Sequence, residues 1–363
     1  MPLTSEQPRI APLPIVPAAV DVPIPPLDEP LDNPRELYIE VTNRCNSLCV
    51  TCPLTFSPQE AEHYLGFDEF TSLVDQFPGL RRVVLQGIGE PLMNRQLGPM
   101  IRYLKDRGVY VIFNTNAILL YPKRQVELVE SGLDELRVSC DSSTPETYAK
   151  IRGVNVLPKV LKNVGEMVQT RTSLGAERPR VSLWFTGVKD NIRELPGLVD
   201  IAGQMGVDEV YLTRMVFFGE GLATEDQSIF NAEEALRRQV EDIVADADRR
   251  AAGHGLSFKS AGAIAPSEYA SGPGEVRNPW QGCRRPWRLG YVTATATPCP
   301  AAWRPSLTCR TTTSSWATSR TAASTPSGTA SATAISATAT NPTIPLKLAA
   351  AAASTGACRG QSR

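Results

Sequence analysis

Short apolar, β-branched runs recur six times between residues 35 and 253, each separated from the next by a longer stretch with helical spacing. ELYIEVT (36–42), RRVVLQG (81–87), VYVIFNTN (109–116), DELRVSCD (134–141), RVSLWFTGV (180–188) and DEVYLTRM (208–215) are predicted strands. Helices are predicted over 67–77, 97–108, 123–132, 156–170, 192–206 and 232–251, several of them closed by glycine as in DRG, ESG and QMG. Strands alternating with helices imply an α/β fold with parallel pairing and right-handed crossovers. An open doubly wound sheet and a partial (β/α) barrel both satisfy that order. In either, chemistry collects at the carboxyl ends of the strands. CNSLCVTC follows strand one, GIGEP closes strand two, FNTN strand three and SCD strand four. Their common placement predicts one shared site.

CNSLCVTC puts Cys45, Cys49 and Cys52 on one short loop. Three thiolates do not by themselves complete a structural zinc site, which takes four protein ligands. They can hold three irons of a cubane cluster and leave the fourth open to another ligand. A zinc site completed by a distant side chain, or plain buried thiols, are the competing readings. The only histidines, His63 and His254, lie in no motif that would supply such a ligand. Cys140, between Ser139 and Asp141 on strand four, points to the opposite face and is expected to be packed rather than liganding.

The C-x3-C-x2-C spacing just after the first strand resembles the signature of the radical S-adenosylmethionine (radical SAM) superfamily, over roughly residues 35–255. The resemblance implies a partial (β/α)6 TIM-like barrel. It also implies a [4Fe–4S] cluster on Cys45, Cys49 and Cys52, whose fourth iron takes the amino and carboxylate groups of SAM. One electron then cleaves a C–S bond, and the resulting 5′-deoxyadenosyl radical takes a hydrogen atom from substrate. QGIGEPLMN resembles the family's glycine-rich turn beside the methionine part of SAM, which assigns Gly87, Gly89, Glu90 and Pro91 to cofactor binding. Ile88 stands at the first family glycine, and Thr51 where an aromatic residue commonly meets adenine. By the same likeness Asn116, Ser139 and Asp141 face the cofactor, and Arg152, in STPETYAKIRG, pairs with the SAM carboxylate.

Composition divides the chain. The formal net charge is −1, but all 38 acidic residues lie within 1–275 and none within 276–363. This near-neutral balance predicts no nucleic-acid or membrane partner. Residues 1–34 carry ten prolines and read as a disordered leader, with no signal peptide and no apolar run long enough to span a bilayer. Clustered cysteines then suggest a reducing, cytoplasmic setting. Residues 256–293 read as a linker leading into an extension. NPWQGC, with Cys283, resembles the opening of a SPASM or twitch auxiliary-cluster domain, but the cysteines that should follow are missing. Residues 294–363 form an anomalous low-complexity tail rich in Thr, Ala and Ser. A shifted reading frame accounts for the missing acids: TATPCPAA, TTTSSWATS and GTASATA decode as DGNAVPCC, DYDELVGNL and WNGERYR, which resemble SPASM segments in order. An auxiliary iron–sulfur cluster is then expected only if that frame is restored. The expected reaction is tailoring of a small molecule by dehydrogenation or epimerisation, served by a flavodoxin or ferredoxin. Modification of a ribosomally made peptide, and a non-catalytic iron–sulfur or zinc protein, are the alternatives.

Overall fold

The structure, a computed structural model, describes residues 34–58, 60–229, 233–261, 289–295 and 298–300. The sequence alternates β1 (Glu36–Ile39), α1 (Pro53–Phe56), α2 (Phe67–Val74), β2 (Arg82–Leu85), α3 (Leu97–Lys105), β3 (Tyr110–Thr115), α4 (Pro122–Glu130), β4 (Glu135–Ser139) and α5 (Pro145–Arg152). It continues through α6 (Leu157–Ser173), β5 (Arg180–Gly187), α7 (Leu195–Met205), β6 (Glu209–Arg214), α8 (Glu234–His254), β7 (Ser257–Ser260), β8 (Leu289–Val292) and β9 (Pro298–Pro300). One sheet holds all nine strands in the order β7-β6-β5-β4-β3-β2-β1-β8-β9. Every pair is parallel except β8 with β9. From β1 to β7 each strand lies beside its predecessor, as in a (β/α) barrel, and a doubly wound sheet would reverse direction. The fold is a partial TIM-like barrel.

All six predicted strands form, and Gly108, Gly132 and Gly206 take the left-handed conformation expected at helix ends (φ +71°, +78° and +71°). The helix predicted from residue 192 opens as a 3-10 turn, Ile192–Glu194, before α7. The sheet also runs further than the six-strand rhythm. β7 continues it past residue 255, and β8, in the stretch read as the start of the extension, pairs with β1. Both are four-residue strands with polar or glycine positions, too short to stand out in sequence. Pairing with an exposed strand edge makes them strands. Cys283, the leader up to residue 33 and the tail beyond residue 300 lie outside the described residues.

The two faces of the sheet differ. Leu37, Ile39, Val83, Leu85, Val111, Phe113, Leu136, Val138, Leu183 and Phe185 join the helices in one apolar core. Alternation places Tyr38, Asn114, Arg137, Ser139, Trp184 and Tyr211 on the opposite, concave face. Cys140 is fully buried in the core, its thiol donating to the Ser142 carbonyl at 3.4 Å, as expected for a packed residue.

Candidate active site

Beyond β1 the chain crosses the carboxyl ends of the strands, carrying the cysteines over the mouth of the barrel. The loops after β2 and β6 and the end of α5 each press a glycine against it. A Cβ on Gly89 would lie 2.1 Å from the Thr42 carbonyl oxygen, on Gly153 2.4 Å from that of Leu48, and on Gly221 2.1 Å from that of Val50. Backbone hydrogen bonds follow the same seams: Glu90 N–H to Arg44 O at 2.8 Å, Val50 N–H to Ile151 O at 2.9 Å and Leu222 N–H to Val50 O at 2.8 Å. A Cβ on Gly87 would meet the Glu40 side chain at 2.0 Å. The glycines of GIGEP are therefore required by protein against protein, whatever else approaches them.

Glu90 is buried and faces inward. Oε1 accepts from Thr115 Oγ1 at 2.6 Å and Leu92 N–H at 3.0 Å, and Oε2 accepts from Asn116 N–H at 2.7 Å. Burial raises its pKa, while these donors pull the other way. Pro91 opens the buried 3-10 turn that follows. Asn116 passes the connection on. Its Nδ2 donates to Asn46 Oδ1 at 2.7 Å and Ser47 Oγ at 3.3 Å, and stands 3.9 Å from Cys45 Sγ. Glu90 and Asn116 thus shape the cysteine loop from below.

Asp141 and Arg152 meet each other. Arg152 Nη2 is 2.5 Å from Asp141 Oδ2, and Nη1 donates to Cys49 Sγ at 3.8 Å. Arg152 Nε is buried without a partner. Asp141 Oδ1 accepts from Thr186 N–H at 2.8 Å. Burial opposes the arginine's charge, but Asp141 and then Cys49 outweigh it and hold its pKa above the ordinary value. Ser139 ends β4 half-buried, in register with Trp184.

Cys49 is buried, and Cys45 and Cys52 are half-buried. Burial, then Glu90 and the neighbouring cysteines, push Cys45 up to about 12 against the Ser47 N–H. Burial and Cys49 push Cys52 up to about 11, against the Leu54 N–H and Arg152. Among the described residues no group of three or more His, Cys, Asp or Glu is arranged to close on a single ion. The donor set is three sulfurs of one loop, near enough to feel one another's charge, with a guanidinium beside that of Cys49.

Below the loop, the concave face carries Asn114, which FNTN had placed at the shared site, and aromatic and charged groups that the sequence reading passed over. Trp184 and Tyr211 stack at 4.3 Å, and the Arg137 guanidinium lies 4.4 Å over the Trp184 ring. Asn114, in register with Arg137, keeps Oδ1 buried with no partner. Ion pairs cross the strand starts, where Glu209 meets Arg180 at 3.2 Å and Lys259 at 2.7 Å. The signal was present in DELRVSCD, RVSLWFTGV and DEVYLTRM. Every second residue there is polar or aromatic, opposite an aliphatic face.

The sequence model of the radical SAM superfamily matches residues 39–171, from the last residue of β1 through most of α6. The chain carries a radical SAM domain. A probable GTP 3′,8-cyclase of Sulfurisphaera tokodaii is 31% identical over 215 residues, 58% of this chain and 66% of that protein. A tungsten-containing aldehyde ferredoxin oxidoreductase cofactor-modifying protein of Pyrococcus furiosus is 27% identical over 185 residues, 50% of this chain and 52% of the relative. The chain thus spans between half and two thirds of the length of these relatives. Among solved structures, Streptococcus suis SuiB bound to S-adenosylmethionine has the same fold at a TM-score of 0.58 and 15% identity, covering 75% of this chain and 61% of its own. Among the described residues no helix is long and apolar enough to cross a membrane.

The cofactors of the radical SAM superfamily are a [4Fe–4S] cluster and SAM, and the residues present fit them. Three cysteines, all sulfur donors, share one braced loop, and a buried cation offsets the charge their thiolates would bring. The partnerless Arg152 Nε is a donor pointing at no protein acceptor. Cys45, Cys49 and Cys52 would hold the cluster.

Proposed function

We propose that this radical SAM domain cleaves SAM reductively and takes hydrogen from a C–H bond of a small molecule, in a dehydrogenation or epimerisation of secondary metabolism. The observation that carries this reading is the braced loop bearing Cys45, Cys49 and Cys52 over a barrel mouth whose concave face is polar and aromatic. When bound, the cluster and SAM supply one-electron cleavage of a C–S bond and a carbon radical able to take hydrogen.

The chain's own residues have separable tasks. Gly89, Gly153 and Gly221 fix the loop, Asn116 orients the Cys45–Ser47 turn, and Arg152 holds Cys49. Trp184, Tyr211 and Arg137 offer a compact surface for a substrate of modest size, and the ion pairs at Glu209 help keep water from entering beneath it. A small substrate is also in keeping with the names of the two relatives, one a cyclase of GTP and the other a modifier of a cofactor. A flavodoxin or ferredoxin would supply the electron, in the reducing cytoplasm that such thiols need.

Oxygen-free protein reconstituted with iron and sulfide, then given SAM and dithionite, tests the reading. About four irons per chain and formation of 5′-deoxyadenosine are expected, both lost when Cys45, Cys49 and Cys52 are replaced by alanine. A four-iron centre that never yields 5′-deoxyadenosine would favour the non-catalytic alternative.

A further inference from the structure

Resting on that reading, we infer that Arg152 is a positioning residue for Cys49 that raises the reduction potential of the centre, with Asp141 fixing the guanidinium in place. This departs from the sequence-based assignment of Arg152 to the SAM carboxylate.

Both terminal nitrogens of Arg152 are engaged by protein: Nη2 by Asp141 at 2.5 Å and Nη1 by Cys49 Sγ at 3.8 Å. Asp141 is itself held, with Oδ1 on the Thr186 N–H at 2.8 Å and its carbonyl on Asn191 Nδ2 at 3.0 Å. Asn191 also donates to the Thr186 carbonyl at 2.9 Å and accepts from the Val188 N–H at 2.9 Å. Moving the guanidinium toward a ligand would strand a carboxylate that is 2% exposed. Arg152 is also the last residue of α5, and the next residue, Gly153, abuts the Leu48 carbonyl. The cation and the cysteine loop are therefore registered by one helix end.

A fixed positive charge touching a ligand sulfur favours the state with one more electron, because the added negative charge is attracted to it in a medium of low polarity. Sulfur contacts set the potential of such centres. The effect is lopsided. Cys45 Sγ has neutral donors, the Ser47 N–H and the amide of Asn116 at 3.9 Å, whereas Cys49 has a guanidinium. Asp141 offsets part of the field from the far side of the cation, so its removal should act in the opposite sense.

The test is a redox titration of the oxygen-free, reconstituted full chain without SAM, followed by EPR, with SAM affinity measured separately. Arg152→Gln is expected to lower the reduced fraction at a fixed potential about tenfold, 59 mV for one electron. Arg152→Lys should recover most of it, and Asp141→Asn should raise the reduced fraction. Opposite shifts from the two partners are not expected of a purely structural pair. If Arg152→Gln takes up no iron, the Asp141→Asn shift still decides the matter. An unmoved potential in Asp141→Asn, or an unmoved potential with weakened SAM binding in Arg152→Gln, would overturn the inference alone. No four-iron centre in the unaltered chain would overturn the functional reading and the inference with it.

Discussion

Gly89 stands against the carbonyl oxygen of Thr42, so close that a β-carbon would lie 2.1 Å from it. The atom in the way is backbone, already tied down by the antiparallel bridge of Thr42 with Tyr64 and by the Thr42 hydroxyl donating to His63 O at 2.8 Å. Gly89→Ala must therefore displace the loop that leads into the cysteines. We expect a loss of at least about 2 kcal/mol in denaturant unfolding and a matching fall in iron per chain. Unchanged stability with full iron loading would show that the seam can open.

Cys45 and Cys52 carry a second prediction. Their folded pKa values of about 12 and about 11 lie above the ordinary thiol value of 9.0, because burial disfavours the thiolate. Alkylation of these two residues in metal-free protein should keep accelerating between pH 9 and 11, where an exposed cysteine has levelled off. The sign for stability follows: the folded chain binds more protons than the unfolded one across this window. Metal-free protein should therefore lose stability as pH rises from about 9 to about 12. Residue-resolved mass spectrometry and denaturation at several pH values check both.

Glu40 joins β8 to the barrel. The buried carboxylate accepts from the Tyr291 hydroxyl, from Ala294 N–H at 3.1 Å and from Ile88 N–H at 3.2 Å. Tyr291→Phe removes one donor to a charged acceptor, at a cost of about 1.5–3 kcal/mol. Loss should appear locally, as faster hydrogen exchange at the Glu40 amide, which donates to Val292 O at 2.9 Å. Exchange that matches the unaltered protein would assign the docking of β8 to its backbone ladder.

Trp184 tests the concave face. Trp184→Phe shrinks a ring that stacks on Tyr211 and lies beneath Arg137. We expect kcat/KM for the substrate to fall at least tenfold, about 1.4 kcal/mol of transition-state binding, with little change in the Kd for SAM. An equal loss in both would place the ring at the SAM site instead.

The sequence by itself determined the order of elements and the chemistry of one loop. Six strands, the glycine ends of three helices and the Cys45–Cys49–Cys52 spacing depend on local periodicity, backbone conformation and residue type, which neighbours in the chain already fix. Tertiary structure decided what each side chain faces. Asp141 and Arg152 are eleven positions apart, and only the turn of α5 back over the mouth makes them partners. Gly89 reads from the sequence as a ligand-facing glycine, and only the fold shows the Thr42 carbonyl pressed against it. β7 and β8 became strands because edges of the sheet were open to them, and Trp184 met Tyr211 because β5 and β6 lie side by side in register. Contacts of this kind depend on which strands and loops are brought together, and no short stretch of sequence contains that information.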